Sequence, residues 1–188
     1  MVALVAASSM ACAAAPKPQP EAPAPTTQAL LLRAEEAERA REYLRAQTLY
    51  EQAKALAPDP RSRALAGRAY GRALVFYGEH ERAAQEFESA VALTPGDAGL
   101  WHDLGIVRHH LGDRAGAEAA FRRARAAAPK DGRPRIALAA LLMQQGRHRD
   151  ALGEYRALLQ LRLPEPVREK VQWAVGVLER KLAAPGSR

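Results

Sequence analysis

Three histidines are the side chains whose type and spacing come closest to a chemical site. His102, His109 and His110 fall in one segment with helical periodicity, and imidazoles grouped in this way raise the hypothesis of a bound metal ion. At a helical rise of about 1.5 Å per residue, His102 and His109 lie about 10 Å apart along the axis, while the adjacent His109 and His110 point in different directions. The three imidazoles cannot share one ion. We interpret them as structural or ligand-contacting residues, and we predict neither a metal nor a cofactor.

The residues needed for nucleophilic or phosphate chemistry do not occur in the required patterns. The sequence contains no nucleophile elbow, no phosphate-binding glycine loop and no zinc-protease motif. Its serines are few, and none is placed near a histidine and an aspartate. Cys12 is the only cysteine, which excludes an intrachain disulfide and a cysteine-based metal site. We therefore predict that the chain has no catalytic residues and is not an enzyme.

The segment around Cys12 indicates export. Residues 1–15 are small, apolar and uncharged, and they are too few to span a bilayer as a helix, so they are typical of a secretory signal. Ser9 to Cys12 resembles the bacterial lipobox, which implies a lipid on Cys12 and a membrane anchor in the cell envelope, facing the periplasm. Two alternatives stay open: ordinary cleavage at a following alanine, and an apolar tail on a cytoplasmic protein. Residues 16–26 are rich in proline and alanine, as expected of a tether between an anchor and a folded domain.

The composition of the rest of the chain predicts a helical protein. Apolar residues make up 48% of the chain and aromatic residues 5%, and β-branched residues are scarce. This mixture favours closely packed helices over strands, so we predict an all-α fold. Residues 132–188 hold eleven basic and five acidic side chains, whereas residues 64–97 hold three and five. The basic end could bind an acidic protein or anionic lipid, or it could be an ordinary solvated face. Because no aromatic residues are interleaved with the basic ones, we do not expect nucleic-acid binding.

A repeat of 34 residues is the strongest pattern in the sequence. The clearest unit spans residues 98–131, and units in register with it span residues 64–97 and 132–165. A weaker unit spans residues 27–60 and is followed by three additional residues. The recurring positions are, in the clearest unit, Trp101, Leu104, Gly105, Gly112, Ala117, Phe121, Ala124 and Pro129. These residue types at these spacings resemble the tetratricopeptide repeat.

The resemblance implies a superhelix of about four antiparallel helix pairs in residues 27–165, with a capping helix in residues 166–183 and a disordered tail in residues 184–188. In such a fold the glycine and alanine positions let the two helices of a pair approach closely. The aromatic positions fill the groove towards the next pair, and the prolines end the second helices. We expect the link Pro58-Asp59-Pro60 to be longer than the others, because of the three additional residues. We expect Trp173 to pack on the last pair; an exposed Trp173 would instead mark a contact point for a partner.

The resemblance also implies a concave groove, lined by the first helix of each pair, that binds a protein or peptide. Carried over position by position, its lining residues are Glu35, Glu38, Arg39, Arg68, Arg72, Val75, Phe76, His102, Asp103, Ile106, His109, His110, Arg133, Ile136, Ala140 and Met143. Among them Phe76, Ile106 and Met143 are expected to be exposed apolar anchors. Asp103 would repel a terminal carboxylate, so we exclude the carboxylate clamp known in the family.

The function implied is that of a non-catalytic interaction scaffold. Together with the lipobox-like segment, the resemblance implies a lipid-anchored adaptor that assists assembly of a cell-envelope complex of the secretion or pilus type. The alternative is a soluble cytoplasmic protein that binds a peptide or a chaperone client.

Overall fold

Nine helices build the part of the chain that the structure describes. A computed structural model describes residues 25–184; the predicted signal segment with Cys12 and most of the predicted tether and tail lie outside them. The helices of the described part are α1 (Thr27–Arg39), α2 (Tyr43–Leu56), α3 (Pro60–Phe76), α4 (His80–Leu93), α5 (Ala98–His110), α6 (Arg114–Ala127), α7 (Gly132–Gln144), α8 (His148–Leu159) and α9 (Glu165–Ala183). The first eight pack as four pairs of consecutive helices, and α9 packs on α8. The predicted all-α fold of helix pairs with a C-terminal helix is confirmed.

The turns inside the pairs explain three of the repeated glycines. Gly78, Gly112 and Gly146 adopt φ values of 81°, 80° and 74°, in the left-handed region that a Cβ atom disfavours. Backbone N–H groups of each turn donate hydrogen bonds to carbonyls of the preceding helix. In the first pair Arg41 takes this conformation, with a φ of 61°, so this turn is built without the glycine that the other three use.

The link between the first two pairs is shorter than expected. α2 ends at Leu56 and α3 begins at Pro60, so three residues connect them, whereas four connect α4 to α5 and α6 to α7. The Asp59 carboxylate accepts a hydrogen bond from the Ser62 N–H (2.9 Å) and caps α3. Pro60 lies in the first turn of the helix, where its missing N–H breaks no hydrogen bond. The three additional residues therefore extend α3 at its N-terminus, and the prediction of a longer link is wrong.

The two helices of a pair approach closely because of the small residues of the repeat. A Cβ atom on Gly71 would lie 2.7 Å from the Phe87 ring, and one on Gly105 would lie 2.5 Å from the Phe121 ring. Glycine is therefore required for each ring to fit, as the repeat predicts. Each aromatic ring thus packs against the other helix of its own pair. The sequence predicted only that these rings fill the groove towards the next pair, so this contact was not expected. The alanines on the second helices are fully buried: Ala46, Ala83, Ala117 and Ala151.

Two hydrophobic clusters form the core. The first takes its buried residues mainly from α1 to α5, and the second takes its buried residues from α6 to α9. Within α9, Val171 and Leu178 are buried. Trp173 lies about 200° around the helix from Val171 and is 70% exposed, so the expectation that it packs on the last pair is wrong. None of the described helices combines the length and the apolar character that crossing a membrane requires.

Candidate functional site

The first helices of the four pairs lie side by side and form one surface. α1 contacts α3, α3 contacts α5, and α5 contacts α7. We call the surface formed by these four helices the inner face. The groove positions predicted from the sequence all fall on these helices, so the fold places them along a single side of the stack.

At the centre of the inner face, two arginines share one carboxylate. Arg68 Nε lies 2.8 Å from Asp103 Oδ2, and Arg72 Nε lies 3.0 Å from the same oxygen. Burial opposes ionisation of this carboxyl group, but the neighbouring His102 imidazole and the two guanidinium groups outweigh it and lower the pKa of Asp103 to about 2. Arg68 also lies 4.0 Å from Asp97. Two cations thus face two carboxylates, and we call Arg68, Arg72 and Asp103 the central charge cluster.

The predicted residues of α7 lie apart from this cluster. Arg133 Nη2 lies 2.7 Å from Asp131 Oδ2, and the hydrogen bonds from Arg133 lower the pKa of Asp131. The Arg133 side chain is still largely exposed to solvent, and Ile136 and Ala140 are also exposed. This end of the inner face therefore offers a solvated arginine, paired with Asp131, beside one exposed aliphatic side chain.

The histidines pack against other rings. His102 is mostly buried, with its ring centroid 5.9 Å from that of Phe121. His110 stacks on His80 of the preceding pair at 5.2 Å, and the His109 ring lies 6.3 Å from His110. Within residues 25–184, no group of three or more histidine, cysteine, aspartate or glutamate side chains is arranged to hold a metal ion. These contacts give the imidazoles a packing role.

Only one of the three expected apolar anchors is well exposed. The Phe76 side chain is 76% exposed. Ile106 and Met143 are half-buried because they pack against the second core cluster, and the expectation that both are exposed is wrong. Val75 likewise packs against the first cluster. The apolar character of the inner face is therefore concentrated at Phe76, in the last turn of α3.

A depression of about 540 Å³ lies between α1 and α3, at the N-terminal end of the inner face. Its lining residues are Glu35, Glu38, Arg39, Tyr50, Ala69, Arg72, Ala73 and Phe76. Glu38 Oε1 accepts a hydrogen bond from the Tyr77 hydroxyl (2.7 Å), and Glu38 Oε2 accepts one from the Tyr50 hydroxyl (3.2 Å). Burial, followed by the nearby Glu38 carboxylate, raises the pKa of both tyrosines. Both phenols therefore stay protonated and keep donating to Glu38.

Three tyrosines near Phe76 are not among the groove residues predicted from the sequence: Tyr43, Tyr50 and Tyr77. The Tyr43 ring lies 5.0 Å from the Tyr77 ring, and the two line a second depression of about 410 Å³ on the other side of Phe76. Helical spacing on α1 and α3 could not identify these residues, because they lie on α2 and in the turn after α3.

The fold and this surface define a class of protein: an all-α stack of helix pairs with one continuous inner face. The tetratricopeptide-repeat family model matches residues 74–133, so this part of the chain consists of tetratricopeptide repeats, and the other described helix pairs continue the same stack. No curated protein matches the chain in sequence.

Solved structures share the fold at low sequence identity. A MamA protein has a TM-score of 0.69 with 16% identity, covering 82% of this chain and 81% of its own. YrrB, described as a tetratricopeptide-repeat protein with an unusual peptide-binding site, has a TM-score of 0.64 with 21% identity, covering 85% and 79%. The type III secretion chaperone SycD of Yersinia enterocolitica, solved with a peptide of the translocator YopD, has a TM-score of 0.57 with 18% identity, covering 62% and 92%.

Proposed function

We propose that the chain is a non-catalytic scaffold that binds a segment of another protein along its inner face. The observation that carries the proposal is Phe76: a large aromatic side chain, 76% exposed, between two depressions of a repeat surface. Exposed aromatic residues beside concave surfaces are typical of binding sites, because their burial by a partner removes much apolar area from water. The peptide-binding site of YrrB and the complex of SycD with a peptide support the same use of this fold.

The alternative location for the partner site is the basic surface of α9. Lys170 and Lys181 are exposed there beside Trp173, and a polyanion would be attracted to them. Phe76→Ala should weaken partner binding by about tenfold or more, as expected for an aromatic anchor that a partner buries. Reversal of both Lys170 and Lys181 to glutamate should leave the affinity within about twofold. The opposite result, binding lost in the double reversal and retained in the Phe76 variant, would place the site on α9.

Salt dependence gives a second distinction between these sites. A site anchored by apolar contacts should lose affinity only modestly as salt rises, because salt screens exposed charges and leaves apolar burial unaffected. A polyanion site on α9 should show a steep linear fall of log affinity with log salt concentration. Titrations of one partner at several salt concentrations decide between them.

For the cellular setting, we propose a lipid-anchored adaptor that assists assembly of a cell-envelope complex of the secretion or pilus type. The support is the lipobox-like sequence that ends at Cys12 and the proline- and alanine-rich stretch that follows it. Labelling of cells with palmitate, followed by fractionation, should find the wild-type protein labelled and in the membrane fraction. Cys12→Ala should be unlabelled. An unlabelled wild-type protein in the soluble fraction would refute the anchor.

The second candidate is a cytoplasmic protein that binds a peptide or a chaperone client. The likeness in fold to SycD, a chaperone that was solved with a peptide of its translocator, favours it. The same fractionation experiment separates the two candidates, since only the adaptor requires a membrane anchor.

A further inference from the structure

We propose that the depression at the N-terminal end of the inner face binds a lysine or arginine side chain of the partner segment, while a neighbouring apolar residue packs on Phe76. This inference rests on the proposed function, because it requires a partner segment to lie along the inner face. It adds the chemistry of the ligand: a segment in which a cation lies within about two positions of a large apolar residue.

Glu38 is the group that selects the cation. Its two oxygens accept hydrogen bonds from the neutral hydroxyls of Tyr77 and Tyr50, and within residues 25–184 it forms no ion pair. The residue is half-buried. A carboxylate in such a position attracts a cation more strongly than an exposed one, since water and salt screen it less.

The cations that already line the depression are engaged elsewhere. Arg39 Nη2 lies 3.6 Å from Glu35 Oε2 on the same helix, and Arg72 is held by Asp103 in the central charge cluster. Neither guanidinium neutralises Glu38. A cation from a partner would therefore complete a charge pair that the chain itself leaves open.

The chain contains an internal example of the same recognition. On the outer side of the first two pairs, Lys54 Nζ lies 5.1 Å from the centroid of the Tyr70 ring and 2.7 Å from Glu86 Oε1, so one lysine combines a cation–π contact with an ion pair. The N-terminal depression offers the carboxylate of Glu38 beside one tyrosine, Tyr50, whose ring is buried against Tyr70, and no lysine lines it. A lysine or arginine of another protein can therefore form the ion pair of this arrangement, without its cation–π contact.

Phe76 determines which type of partner residue lies close to the cation. Its ring borders both depressions, the one with Glu38 and the one lined by Tyr43, Gln47, Tyr77 and Glu79. In an extended segment, successive side chains point to opposite sides of the backbone, so side chains two positions apart lie on the same side. A cation entering the first depression thus leaves a leucine, isoleucine or phenylalanine two positions away able to cover the Phe76 ring.

The test is a selection of peptides from a random display library on the purified full-length chain. Selected peptides should carry lysine or arginine within about two residues of a large apolar residue. Fluorescence anisotropy then compares one selected peptide with an analogue whose cation is replaced by glutamine. The wild-type chain should prefer the cationic peptide by about tenfold, a comparison that needs no variant.

Two matched pairs of variants locate the contacts. Glu38→Gln should abolish the preference for the cationic peptide, whereas Glu36→Gln makes the same change of charge on the same helix, in a different depression, and should preserve it. Phe76→Ala should weaken both peptides, whereas Leu44→Ala, at a side chain that is 82% exposed and outside both depressions, should weaken neither.

The outcomes separate this inference from the proposed function. Peptides that bind without a basic residue, or a Glu36→Gln effect as large as that of Glu38→Gln, would overturn the cation site and leave the scaffold function standing. Failure of the wild-type chain to select any peptide would overturn both.

Discussion

At the centre of the inner face, Arg68 and Arg72 share Asp103, whereas at its N-terminal end Glu38 meets only tyrosine hydroxyls. Both regions are rich in charged groups that helical spacing places on one surface. In the first region the charges compensate one another, and in the second the Glu38 carboxylate forms no ion pair within the described residues and the Phe76 ring is 76% exposed.

The comparison shows that position on a binding surface is not the same as availability for binding. A ligand of the central charge cluster must first compete with Asp103, which already holds both guanidinium groups. A ligand that pairs with Glu38 in the N-terminal depression does not have to displace an ion-pair partner of that carboxylate, and it covers Phe76. Charged residues of the inner face thus stabilise the stack in one region and remain available to a ligand in the other.

Both regions depend on the close packing of the two helices in each pair. A substitution that disturbs this packing should therefore have the largest effect on stability. Gly105→Ala should destabilise the fold, because its Cβ atom would lie 2.5 Å from the buried Phe121 ring. Gly67→Ala is the matched control, since its Cβ atom would make only ordinary van der Waals contacts, the nearest at 3.6 Å. In denaturant titrations we expect the two variants to differ by about 2–3 kcal/mol in the free energy of unfolding. Equal stabilities would show that the assigned helix contacts are wrong.

The next effect concerns the central charge cluster. The pKa of Asp103 is about 2, below its ordinary value of 3.8, so its carboxylate stabilises the fold above pH 4, and this contribution is lost as the pH falls from 4 to 2. Asp103→Asn should therefore cost about 1–2 kcal/mol at pH 7. The difference in stability between wild type and variant should shrink below pH 4. A difference that does not change with pH would mean that Asp103 does not hold the two arginines.

The repeat pattern predicted the packing of the helix pairs well, but it did not predict which charged residues of the inner face pair with each other. Gly71, Gly105 and Phe121 could be assigned because each glycine is required by a ring that recurs at a fixed distance along the sequence. The contacts of Glu38 could not be predicted, since its tyrosine partners lie 12 and 39 positions away on other elements. Spacing within a helix shows which residues share a surface, but it does not show which of them bind each other across helices.

Exposure was also harder to predict than position. Ile106 and Met143 fall on the inner face, yet the second core cluster reaches far enough to bury them partly. Trp173 lies among apolar residues at helical spacing, but only one side of α9 has a helix to pack against. In both cases the exposure of the side chain depends on how far the neighbouring helices extend. A local sequence pattern does not contain that information.

The smallest effect concerns the turn beside the N-terminal depression. Arg41 adopts a φ of 61° where the other three pairs have glycine, and this conformation is unfavourable for a residue with a Cβ atom. Arg41→Gly should stabilise the chain by about 1 kcal/mol, measured by thermal or chemical denaturation. Gly112→Ala, in the equivalent turn of the third pair, should have the opposite sign. A destabilised Arg41→Gly variant would mean that the arginine side chain makes a contact that outweighs its backbone strain.

The central claim is that partners bind on the inner face at its N-terminal end. A photoreactive benzoylphenylalanine placed at position 76, and in a second variant at position 173, tests it directly, because Phe76 and Trp173 are aromatic residues of similar exposure at opposite ends of the stack. Crosslinking in the cells that make the protein, followed by mass spectrometry, should attach a partner segment at position 76 and none at position 173. Crosslinks at position 173 alone would contradict the claim.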